Sequence, residues 1–299
     1  MTTRIPRKGI LLAGGTGSRL HPVTLGVSKH LLPVYDKPMI YYPLSVLMLA
    51  GIREVLVVTA PCDVGNYQRL LGDGSHLGMQ VDYLEQQTPG GIAEALYLAA
   101  PWAGRAPLCL VLGDNIFFGQ GFSPLLRSIS GRESGATLFA YPVKDPERFG
   151  VVSFDEAGNA LKLEEKPSRP ASNHAITGLY FLDNRALDIA ASLKPSARGE
   201  KEIVDVLSGY LAHGNLSTEV LGRGFVWLDA GTPETLMEAG NLVQAVEQRQ
   251  GLKIACLEEI AWHAGWISSG KLMDRAEELG ATNYGQYLGN LLQQGEGND

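Results

Sequence analysis

The sequence predicts an α/β, Rossmann-like fold, in which a mostly parallel (mixed) sheet is sandwiched by helices and a helical extension follows at the carboxyl end. Apolar runs of strand length recur in the first half, and each is followed by a turn and then by residues at helical spacing. The predicted strands are residues 9–13, 54–59, 80–84, 108–112 and 136–142. The predicted helices are residues 38–50, 65–71, 92–99 and 122–130. In such a sheet, ligands bind at the carboxyl ends of the strands.

The second half predicts antiparallel additions to this sheet and then helices. From Phe149 onward, shorter strands with alternating polarity are predicted at 150–155, 160–164 and 175–182, before a helix at about 185–193. Alternation is typical of antiparallel strands, and these are expected to wall a second substrate. Helical spacing follows at 234–250, 271–279 and 284–293. We therefore expect a catalytic domain at 1–231, which includes the antiparallel insertion, and a helical extension for assembly at 232–299.

Composition and charge exclude several classes of protein. The 299 residues include 36 glycines and 16 prolines and are 45% hydrophobic, which is typical of a globular enzyme with many tight turns. The formal net charge of -7 argues against a nucleic-acid partner, because broad phosphate contact needs a basic surface. Three cysteines without metal-ligand spacing indicate reduced thiols in a cytoplasm and no zinc site. Gly14 and Gly15 interrupt the first apolar stretch, so no signal peptide and no membrane span are predicted.

A glycine-rich turn after the first predicted strand is the first candidate for phosphate binding. In Gly14-Gly15-Thr16-Gly17-Ser18-Arg19-Leu20, glycines permit backbone angles that let successive amides converge on an anion. Leu20 replaces the third glycine of the dinucleotide fingerprint and no Gly-Lys-Ser/Thr follows a four-residue spacer, so dehydrogenase and P-loop interpretations lose support. Arg19 and the later Lys29 are cations that suit a polyphosphate. A plain strand-to-helix turn with solvated basic neighbours fits the same residues.

Two aspartates follow apolar runs at distant points of the chain. Asp114 comes directly after the predicted strand 108–112, and Asp229 ends an apolar run just before Gly231. A carboxylate at the end of a central strand lies where this fold presents its chemistry, and oxygen ligands suit Mg2+. Two such groups would share one ion if they meet, which spacing alone does not establish. Each one also fits a turn or a helix cap.

Two weaker patterns add a sugar side and a base side to this candidate site. Glu165 and Lys166 end an alternating strand before Pro167, where a turn can bend both toward a pocket; a solvated edge strand with a charge pair is the alternative. Gln86 opens a polar loop that contains Gly91. A glutamine amide donates and accepts at once, which fits the imide edge of thymine or uracil, and glycine lets a base lie against the backbone.

These motifs resemble, nearly end to end and in order, those of the glucose-1-phosphate thymidylyltransferase family of sugar nucleotidyltransferases. The resemblance is carried by residues 11–22, 28–29, 31–43 and 111–115, and by Glu164-Glu165-Lys166-Pro167, Thr177-Gly178-Leu179-Tyr180-Phe181, Arg198-Gly199-Glu200, Trp227-Leu228-Asp229 and Asn283-Tyr284-Gly285-Gln286-Tyr287-Leu288. It implies that dTTP and a sugar 1-phosphate, α-D-glucose 1-phosphate, give a dTDP-sugar and pyrophosphate by in-line attack on the α-phosphate, with Mg2+.

The resemblance also implies roles for individual residues. The expected catalytic residues are Arg19, Lys29, Asp114, Lys166 and Asp229, of which Asp114 and Asp229 would bind the metal. The expected nucleotide-binding residues are Gly14, Gly15, Thr16, Gly17, Arg19, Lys29, Gln86, Gly91 and Asp114. The expected sugar-phosphate-binding residues are Asn115, Gly150, Glu165, Lys166 and Ile176. A homotetramer built as a dimer of dimers is implied as well, with a feedback site for a downstream dTDP-sugar near subunit contacts.

Three residues depart from the family pattern. His30 stands where the family usually has Gln, Glu94 where Gln is common, and Ala230 where Asp-Thr-Gly has Thr. These changes bear on sugar choice and turnover more than on the fold, and His30 also fits a simple packing change.

Two other functions stay open on the sequence alone. One is a related pyrophosphorylase that uses UTP or another hexose 1-phosphate, and the other is a degenerate relative that binds sugar nucleotides without turnover. Near the carboxyl end, the cluster of Trp262, His263 and Trp266 is expected in the core or at a subunit contact.

Overall fold

A mixed sheet of nine strands lies at the centre of the computed structural model, which describes residues 5–295. Residues 1–4 of the basic amino-terminal segment and residues 296–299 of the expected extension lie outside the described range. The strands are β1 (Lys8–Ala13), β2 (Pro33–Val34), β3 (Lys37–Pro38), β4 (Glu54–Thr59), β5 (Gln80–Glu85), β6 (Leu108–Leu112), β7 (Asn115–Gly119), β8 (Ala136–Pro142), β9 (Gly150–Phe154), β10 (Ala160–Glu165), β11 (His174–Leu182), β12 (Leu216–Val220) and β13 (Phe225–Asp229).

Helices cover both faces of the sheet and continue beyond it. They are α1 (Tyr41–Leu49), α2 (Val64–Leu71), α3 (Ile92–Ala103), α4 (Phe122–Ser130), α5 (Arg185–Ser192), α6 (Ile203–Ala212), α7 (Pro233–Gln250), α8 (Leu257–His263), α9 (Ser269–Leu279) and α10 (Asn283–Gly295). Short 3-10 turns lie at Ser18–Leu20, Val23–Leu25, Lys29–Leu31, Ser75–Leu77 and Pro146–Arg148. None of the helices within the described residues is both long and apolar enough to cross a membrane.

Successive residues of the central strands face two different apolar layers. In β4, Val55 and Val57 belong to one buried cluster, which also holds residues of α1 and α8, whereas Leu56 and Val58 belong to another, which holds residues of α3 and α6. This explains why the strand is a continuous apolar run: both of its faces are covered. The predicted α/β class with helices on both sides of the sheet is confirmed.

The parallel core of the sheet determines where the loops meet. Its strands lie in the order β6-β1-β4-β5 and run in one direction, with Gly9 opposite both Val55 and Cys109. Their carboxyl ends therefore share one edge. The glycine loop after β1, Gln86 after β5 and Asp114 after β6 all leave the sheet at this edge.

Strand β11 joins the parallel core to the antiparallel half. Its carboxyl end pairs with β6 and its amino end with β9, while β8 lies along its other side with a register shift between Ile176 and Tyr180. Residues 176–178 pair with neither β6 nor β9, so the sheet opens there. The amide of Gly178 donates instead to Asn115 Oδ1, at 2.9 Å. The predicted antiparallel additions are thus confirmed and lie next to the edge described above.

The predicted strands of the first half are confirmed to within one residue at each end, but other boundaries were wrong. The helix predicted at 38–50 begins at Tyr41, because Lys37 and Pro38 pair as β3 against β2. The helix predicted at 92–99 continues to Ala103. Elements β7, β12, α6 and α8 were not predicted. In β12 every residue is at least partly exposed, so no apolar run marks this strand.

The carboxyl-terminal helices pack on the first half of the chain. Leu257 of α8 and Leu272 of α9 lie in the same buried cluster as Leu11 of β1. Trp262 and Trp266 are partly buried against this cluster, which agrees with the core alternative of the prediction and leaves a subunit contact a prediction. The side chain of His263 is 64% exposed.

A buried ion network attaches the β2–β3 hairpin to α7. The side chain of Lys37 is 1% exposed, pairs with Asp36 and lies 2.8 Å from Glu247 Oε1. Glu247 also accepts from Lys253 Nζ at 3.3 Å and from the amide of Ile254 at 2.8 Å. Burial raises the pKa of Asp36, but hydrogen bonds from Lys253 and Lys37 outweigh it and hold that pKa below its usual value. A buried cation without partners is strongly destabilising, so this network fixes the hairpin that follows Lys29.

We expect Glu247→Ala to lower the free energy of unfolding by about 3 kcal/mol, because it removes one of the two carboxylate partners of a buried ammonium and leaves a part-buried amide without its acceptor. Urea unfolding at neutral pH measures the change. The control is Glu219→Ala, which breaks the exposed Arg132–Glu219 pair of 2.9 Å and should cost less than about 1 kcal/mol. Equal losses in the two variants would contradict the structural role of the network.

Candidate active site

The loop after β1 has the backbone shape that its glycines permit. Gly15 and Gly17 have φ of 95° and 60°, in the left-handed region. A Cβ atom on Gly17 would lie 3.1 Å from Thr24 Cγ2 and 3.2 Å from Lys29 Cβ, so the loop packs tightly on the segment that carries Lys29. The hydroxyl of Thr24 donates to the carbonyl of Gly17 at 2.8 Å and fixes this contact.

A cavity of about 400 Å³ opens beside this loop. Its lining includes Gly14, Gly15, Thr16, Ser28 and Gln86. The structure thus brings the glycine loop and the expected base-binding loop to one cavity, although they are about seventy residues apart in sequence. The volume is within the usual range for a small-molecule site.

The loop that contains Gly91 is held in place from the far side. Gly91 has φ of 100°, and a Cβ atom on it would lie 2.8 Å from the amide nitrogen of Lys201. Lys201 donates to the carbonyl of Gly90 at 2.8 Å and accepts from Ala93 at 3.1 Å. Glycine is therefore required here by close backbone approach as well as by conformation.

Asp114 is the point at which several chain segments join. It is 9% exposed and forms an ion pair with Lys29. Asn115 Nδ2 donates to its second oxygen at 2.9 Å, and the amide of Ala230 donates to its carbonyl at 3.0 Å. Ala230 is fully buried in an apolar cluster, so a small side chain packs without strain where the family has threonine.

Asp229 lies beside Asp114 because two short strands pair. β13 runs antiparallel to β7 with Asp229 opposite Asn115. Trp227 of the same strand donates through Nε1 to Asn115 Oδ1 at 2.6 Å. A Cβ atom on Gly231 would lie 2.8 Å from Arg19 Nη2 and 3.0 Å from Asp229 Oδ1, so Arg19 approaches this carboxylate as well. Asp114 and Asp229, whose contact sequence spacing alone did not establish, are therefore neighbours in the fold.

The two carboxyls have opposite pKa shifts. Burial would raise the pKa of Asp114, but the charge of Lys29 and hydrogen bonds from Lys29 and Asn115 hold it well below its usual value. Burial and the negative charge of Asp114 raise the pKa of Asp229 to about 6, against the charges of Lys29 and Arg19. Two carboxylates that repel each other in a buried place are a fit for a divalent cation. No cluster of three or more His, Cys, Asp or Glu residues suited to a metal occurs in the part of the chain that is described.

His30 lies beneath the turn that carries Asp114. It is 2% exposed, and a Cβ atom on Gly113 would lie 2.7 Å from its Cδ2. Its Nδ1 is 3.3 Å from the hydroxyl of Tyr67, which in turn is 2.7 Å from Ser28 Oγ. Burial and then the charge of Lys29 lower the pKa of His30 to about 3. His30 is therefore a neutral packing and hydrogen-bonding group at neutral pH, which does not face the cavity with a charge.

The expected sugar residues form a second group. Gly150 lies opposite Glu165 in the β9–β10 pair, and a Cβ atom on it would lie 3.2 Å from Glu165 Oε2 and 3.5 Å from Ile176 Cδ1. Lys166 has φ of 42°, a turn that bends it out of the strand, and its Nζ lies 3.8 Å from Glu165 Oε1. Burial and then the nearby Glu202 raise the pKa of Glu165. The turn before Pro167 thus brings the two charged groups to within 3.8 Å of each other, an arrangement that fits both alternatives given by the sequence, and their contact with a sugar phosphate stays a prediction.

The side chain of Asn115, which was expected to contact the sugar phosphate, is hydrogen-bonded to other residues of the protein. Its side chain is 2% exposed, with Oδ1 accepting from Gly178 and Trp227 and Nδ2 donating to Asp114. In this structure it positions Asp114, and contact with a sugar phosphate stays a prediction.

Three residues of the site were missed by reasoning from isolated patterns. Arg198 pairs with Glu165 at 3.1 Å, with Glu200 at 3.1 Å and with Glu202 at 3.6 Å, and so joins the sugar group to the loop that holds Gly91. Trp227 and Glu94 act through hydrogen bonds to Asn115 and Gln86. The family motifs that contain Arg198 and Trp227, and the departure at Glu94, were the available signals, but only the folded chain reveals the contacts of these residues.

Comparison with known proteins gives consistent matches over most of the chain. Residues 8–246 match the sequence profile of the nucleotidyl transferase family. A glucose-1-phosphate thymidylyltransferase of Neisseria gonorrhoeae is 59% identical over 285 residues, covering 95% of this chain and 99% of the relative. A protein of the same name from Xanthomonas campestris pv. campestris is 53% identical over 97% of this chain and 98% of the relative. One from Mycobacterium tuberculosis is 51% identical over 96% and 99%, respectively.

Solved structures agree with the fold. A Bacillus anthracis protein assigned as a glucose-1-phosphate thymidylyltransferase, crystallised with sucrose, superposes with a TM-score of 0.73 at 39% identity, covering 79% of this chain and 94% of that one. A UDP-glucose pyrophosphorylase in complex with UDP-glucose superposes with a TM-score of 0.70 at 22% identity, covering 82% of this chain and 100% of that one. At that identity, the second match supports the fold alone.

The buried neutral state of His30 makes a prediction about acid stability. Between pH 6.5 and 3 the unfolded chain binds a proton at this histidine and the folded chain does not, so stability falls as pH falls, by about 1.4 kcal/mol per pH unit. We expect His30→Gln, which cannot protonate at this position, to lack this pH-dependent loss of stability. Urea unfolding of both proteins at pH 7, 6, 5 and 4.5 should show their difference in stability shifting steadily in favour of the variant. His263→Gln, at an exposed histidine, is the control; a difference independent of pH for His30→Gln would refute the prediction.

Proposed function

Because the chain belongs to the nucleotidyl transferase family, and within it to the glucose-1-phosphate thymidylyltransferases, we propose that it transfers a thymidylyl group from dTTP to α-D-glucose 1-phosphate, giving dTDP-glucose and pyrophosphate. The observation that carries the proposal is the meeting of Lys29, Asp114, Asp229 and Arg19 beside the glycine loop. These are the groups that a reaction between two phosphates needs.

The chemistry does not require a protein nucleophile. A phosphate monoester is largely dianionic at neutral pH, so an oxygen of the sugar phosphate attacks the α-phosphorus directly. The bond between the α-phosphorus and the bridging oxygen breaks, and pyrophosphate leaves with the electron pair. What the protein must supply is in-line placement, reduced repulsion between the two anions and stabilisation of the leaving group.

On the nucleotide side, the triphosphate would lie along the loop of Gly14, Gly15, Thr16 and Gly17, with Arg19 as a cation beside it. Support comes from the cavity next to this loop and from the left-handed glycines that turn backbone amides toward an anion. Lys29 would reduce the charge of the reacting phosphate. Gln86 and the backbone at Gly91 would hold the base.

On the acceptor side, Gly150, Glu165 and Ile176 would line the sugar, and Lys166 would hold its phosphate. Support comes from the close packing of these three residues and from the turn that presents Lys166 next to Glu165. Glu165 accepts hydrogen bonds, which suits sugar hydroxyls. Asn115 would act here through Asp114, or by a direct contact with the sugar phosphate.

Asp114 and Asp229 would hold Mg2+, together with oxygens of the nucleotide and water. The fit rests on two adjacent carboxylates, one with a pKa raised to about 6 by burial and by its neighbour, and on the preference of Mg2+ for few protein ligands plus phosphate. When bound, the ion supplies positive charge to the phosphates. The residues of this chain orient those phosphates, through Arg19 and Lys29, and keep the carboxylates in place, through Asn115 and Ala230.

The proposal extends to assembly and location. We expect a homotetramer arranged as a dimer of dimers, a catalytic unit at 1–231 with 232–299 serving assembly, feedback binding of a downstream dTDP-sugar, and a cytoplasmic enzyme without nucleic-acid or membrane partners. A cavity of about 510 Å³ between α1, α4 and α8, apart from the glycine loop, is one candidate place for that ligand.

A substrate panel tests the reaction. Purified protein with Mg2+ is given dTTP, UTP or dCTP together with the 1-phosphates of glucose, galactose or mannose, and pyrophosphate release and the mass of the nucleotide sugar are measured. We expect dTTP with glucose 1-phosphate to give the highest kcat/KM. A higher value for UTP or another hexose would favour the related pyrophosphorylase, and absence of pyrophosphate with every pair would favour the binder without turnover.

Two variants test the charged residues. We expect Lys29→Met and Asp229→Asn each to lower kcat about 100-fold, because each removes a charge that acts on the reacting phosphates. Asp229→Asn should also raise the Mg2+ concentration needed for half-maximal rate. Lys271→Met and Asp274→Asn, at exposed positions on α9, are the matched controls. Steady-state rates equal to those of the controls would remove these roles.

A further inference from the structure

Glu94 holds the base-binding loop through a single oxygen. It lies in the first turn of α3, and its Oε2 accepts from the amide of Gly90 at 3.0 Å. The same oxygen accepts from the side-chain Nε2 of Gln86. An acidic residue is favourable at this helix end because the first amides there carry partial positive charge. The contact to Gln86 is an additional effect of that placement.

These bonds determine which end of the Gln86 amide faces the cavity. A carboxylate only accepts hydrogen bonds, so it must receive the NH2 group of Gln86. The carbonyl Oε1 then points the other way, and a Cβ atom on Gly14 would lie 3.3 Å from it. Gly14 and Gln86 both line the cavity of about 400 Å³. Within residues 5–295 we find no protein group that donates to Gln86 Oε1, so this acceptor is available to a ligand.

We propose that Glu94 is a specificity-determining positioning residue, which fixes Gln86 with its carbonyl toward the nucleobase and so selects bases that carry an N–H at ring position 3. Thymine and uracil have such a donor, whereas cytosine has a bare nitrogen there. This inference rests on the proposed function, because it takes the cavity to be the nucleotide site.

The selection follows from hydrogen-bond complementarity. With thymine or uracil, Gln86 Oε1 accepts the N3–H. With cytosine, two lone pairs face each other, and a largely buried acceptor, on a residue that is 8% exposed, loses its water without gaining a partner. Without an acceptor at position 94 the Gln86 amide can rotate by a half-turn and donate its NH2 to cytosine. The restraint on that rotation is therefore the source of the discrimination.

The chemistry of the side chain at position 94 defines a matched pair of variants. Glu94→Gln keeps an acceptor oxygen, which the amide of Gly90 orients toward itself and Gln86, so the restraint survives. Glu94→Met has similar length and no acceptor. If Glu94 only packed the loop, the two substitutions would change the stability of the protein or its affinity for all nucleotides equally. The ratio of the affinities for different bases would then stay the same.

Calorimetric binding of dUTP and dCTP, with Mg2+ and no sugar phosphate, is the test, because these two nucleotides differ only at base positions 3 and 4. In the original protein we expect dUTP to bind more tightly. In Glu94→Met the ratio of the two Kd values should fall about tenfold, the effect of one hydrogen bond, and in Glu94→Gln it should stay within about twofold. A ratio unchanged in Glu94→Met, or lost equally in Glu94→Gln, overturns the proposal.

A double variant identifies the route of the effect. In a Gln86→Leu background the amide is gone, and Glu94→Met should cause no further change in the ratio; a further fall overturns the proposal. Binding separates this inference from the proposed function. If the ratio of the two Kd values responds to Glu94→Met but the protein forms no nucleotide sugar, only the proposed reaction is refuted. If the protein turns over dTTP but the ratio of the two Kd values does not change in Glu94→Met, only the proposed role of Glu94 is refuted.

Discussion

The ion pair between Lys29 and the buried carboxylate of Asp114 is the interaction on which the arrangement of the site depends. Their side chains are 13% and 12% exposed, so neither charge is well solvated without the other. Burial raises the pKa of Asp114, and Lys29 reverses that effect. The pair forms only if the turn after β6 and the segment after the glycine loop arrive at the same place. Their convergence therefore contributes to the stability of the fold as well as to the geometry of the site.

The pairing of β7 with β13 extends this arrangement to the far half of the chain. It connects residues more than a hundred positions apart and places Asp229 opposite Asn115. Asn115 uses both ends of its amide, since it donates to Asp114 and accepts from Trp227 and Gly178. A single buried amide thus holds the first carboxylate, the strand of the second and the opening in β11. Regular pairing at that opening would engage the Gly178 amide and so remove one of the two donors to Asn115 Oδ1.

The sequence predicted the parallel core well because its inner strands β6, β1 and β4 are largely buried on both faces and read as apolar runs, as in residues 54–59. It predicted less where stability comes from contacts that sequence patterns do not record. Every residue of β12 is at least partly exposed, and β3 replaced the start of a predicted helix because it pairs with β2. The candidate residues were found by their chemical types and by family resemblance. Their hydrogen-bond directions, such as that between Gln86 and Glu94, depend on side-chain packing, which spacing does not encode.

The cations of the site differ in how firmly they are held, and this difference reconciles an acidic chain with a phosphate reaction. Lys29 is paired in a buried place, where an ion pair is costly to break. The side chains of Lys166 and Arg198 are 44% and 40% exposed, and exposed pairs with glutamates contribute little. Those glutamates therefore keep the two cations in position at small energetic cost, and a phosphate, which offers more acceptor oxygens, can replace them. Together with Arg19, these few cations suffice for the proposed phosphate chemistry, so a net charge of -7 over the whole chain is compatible with it.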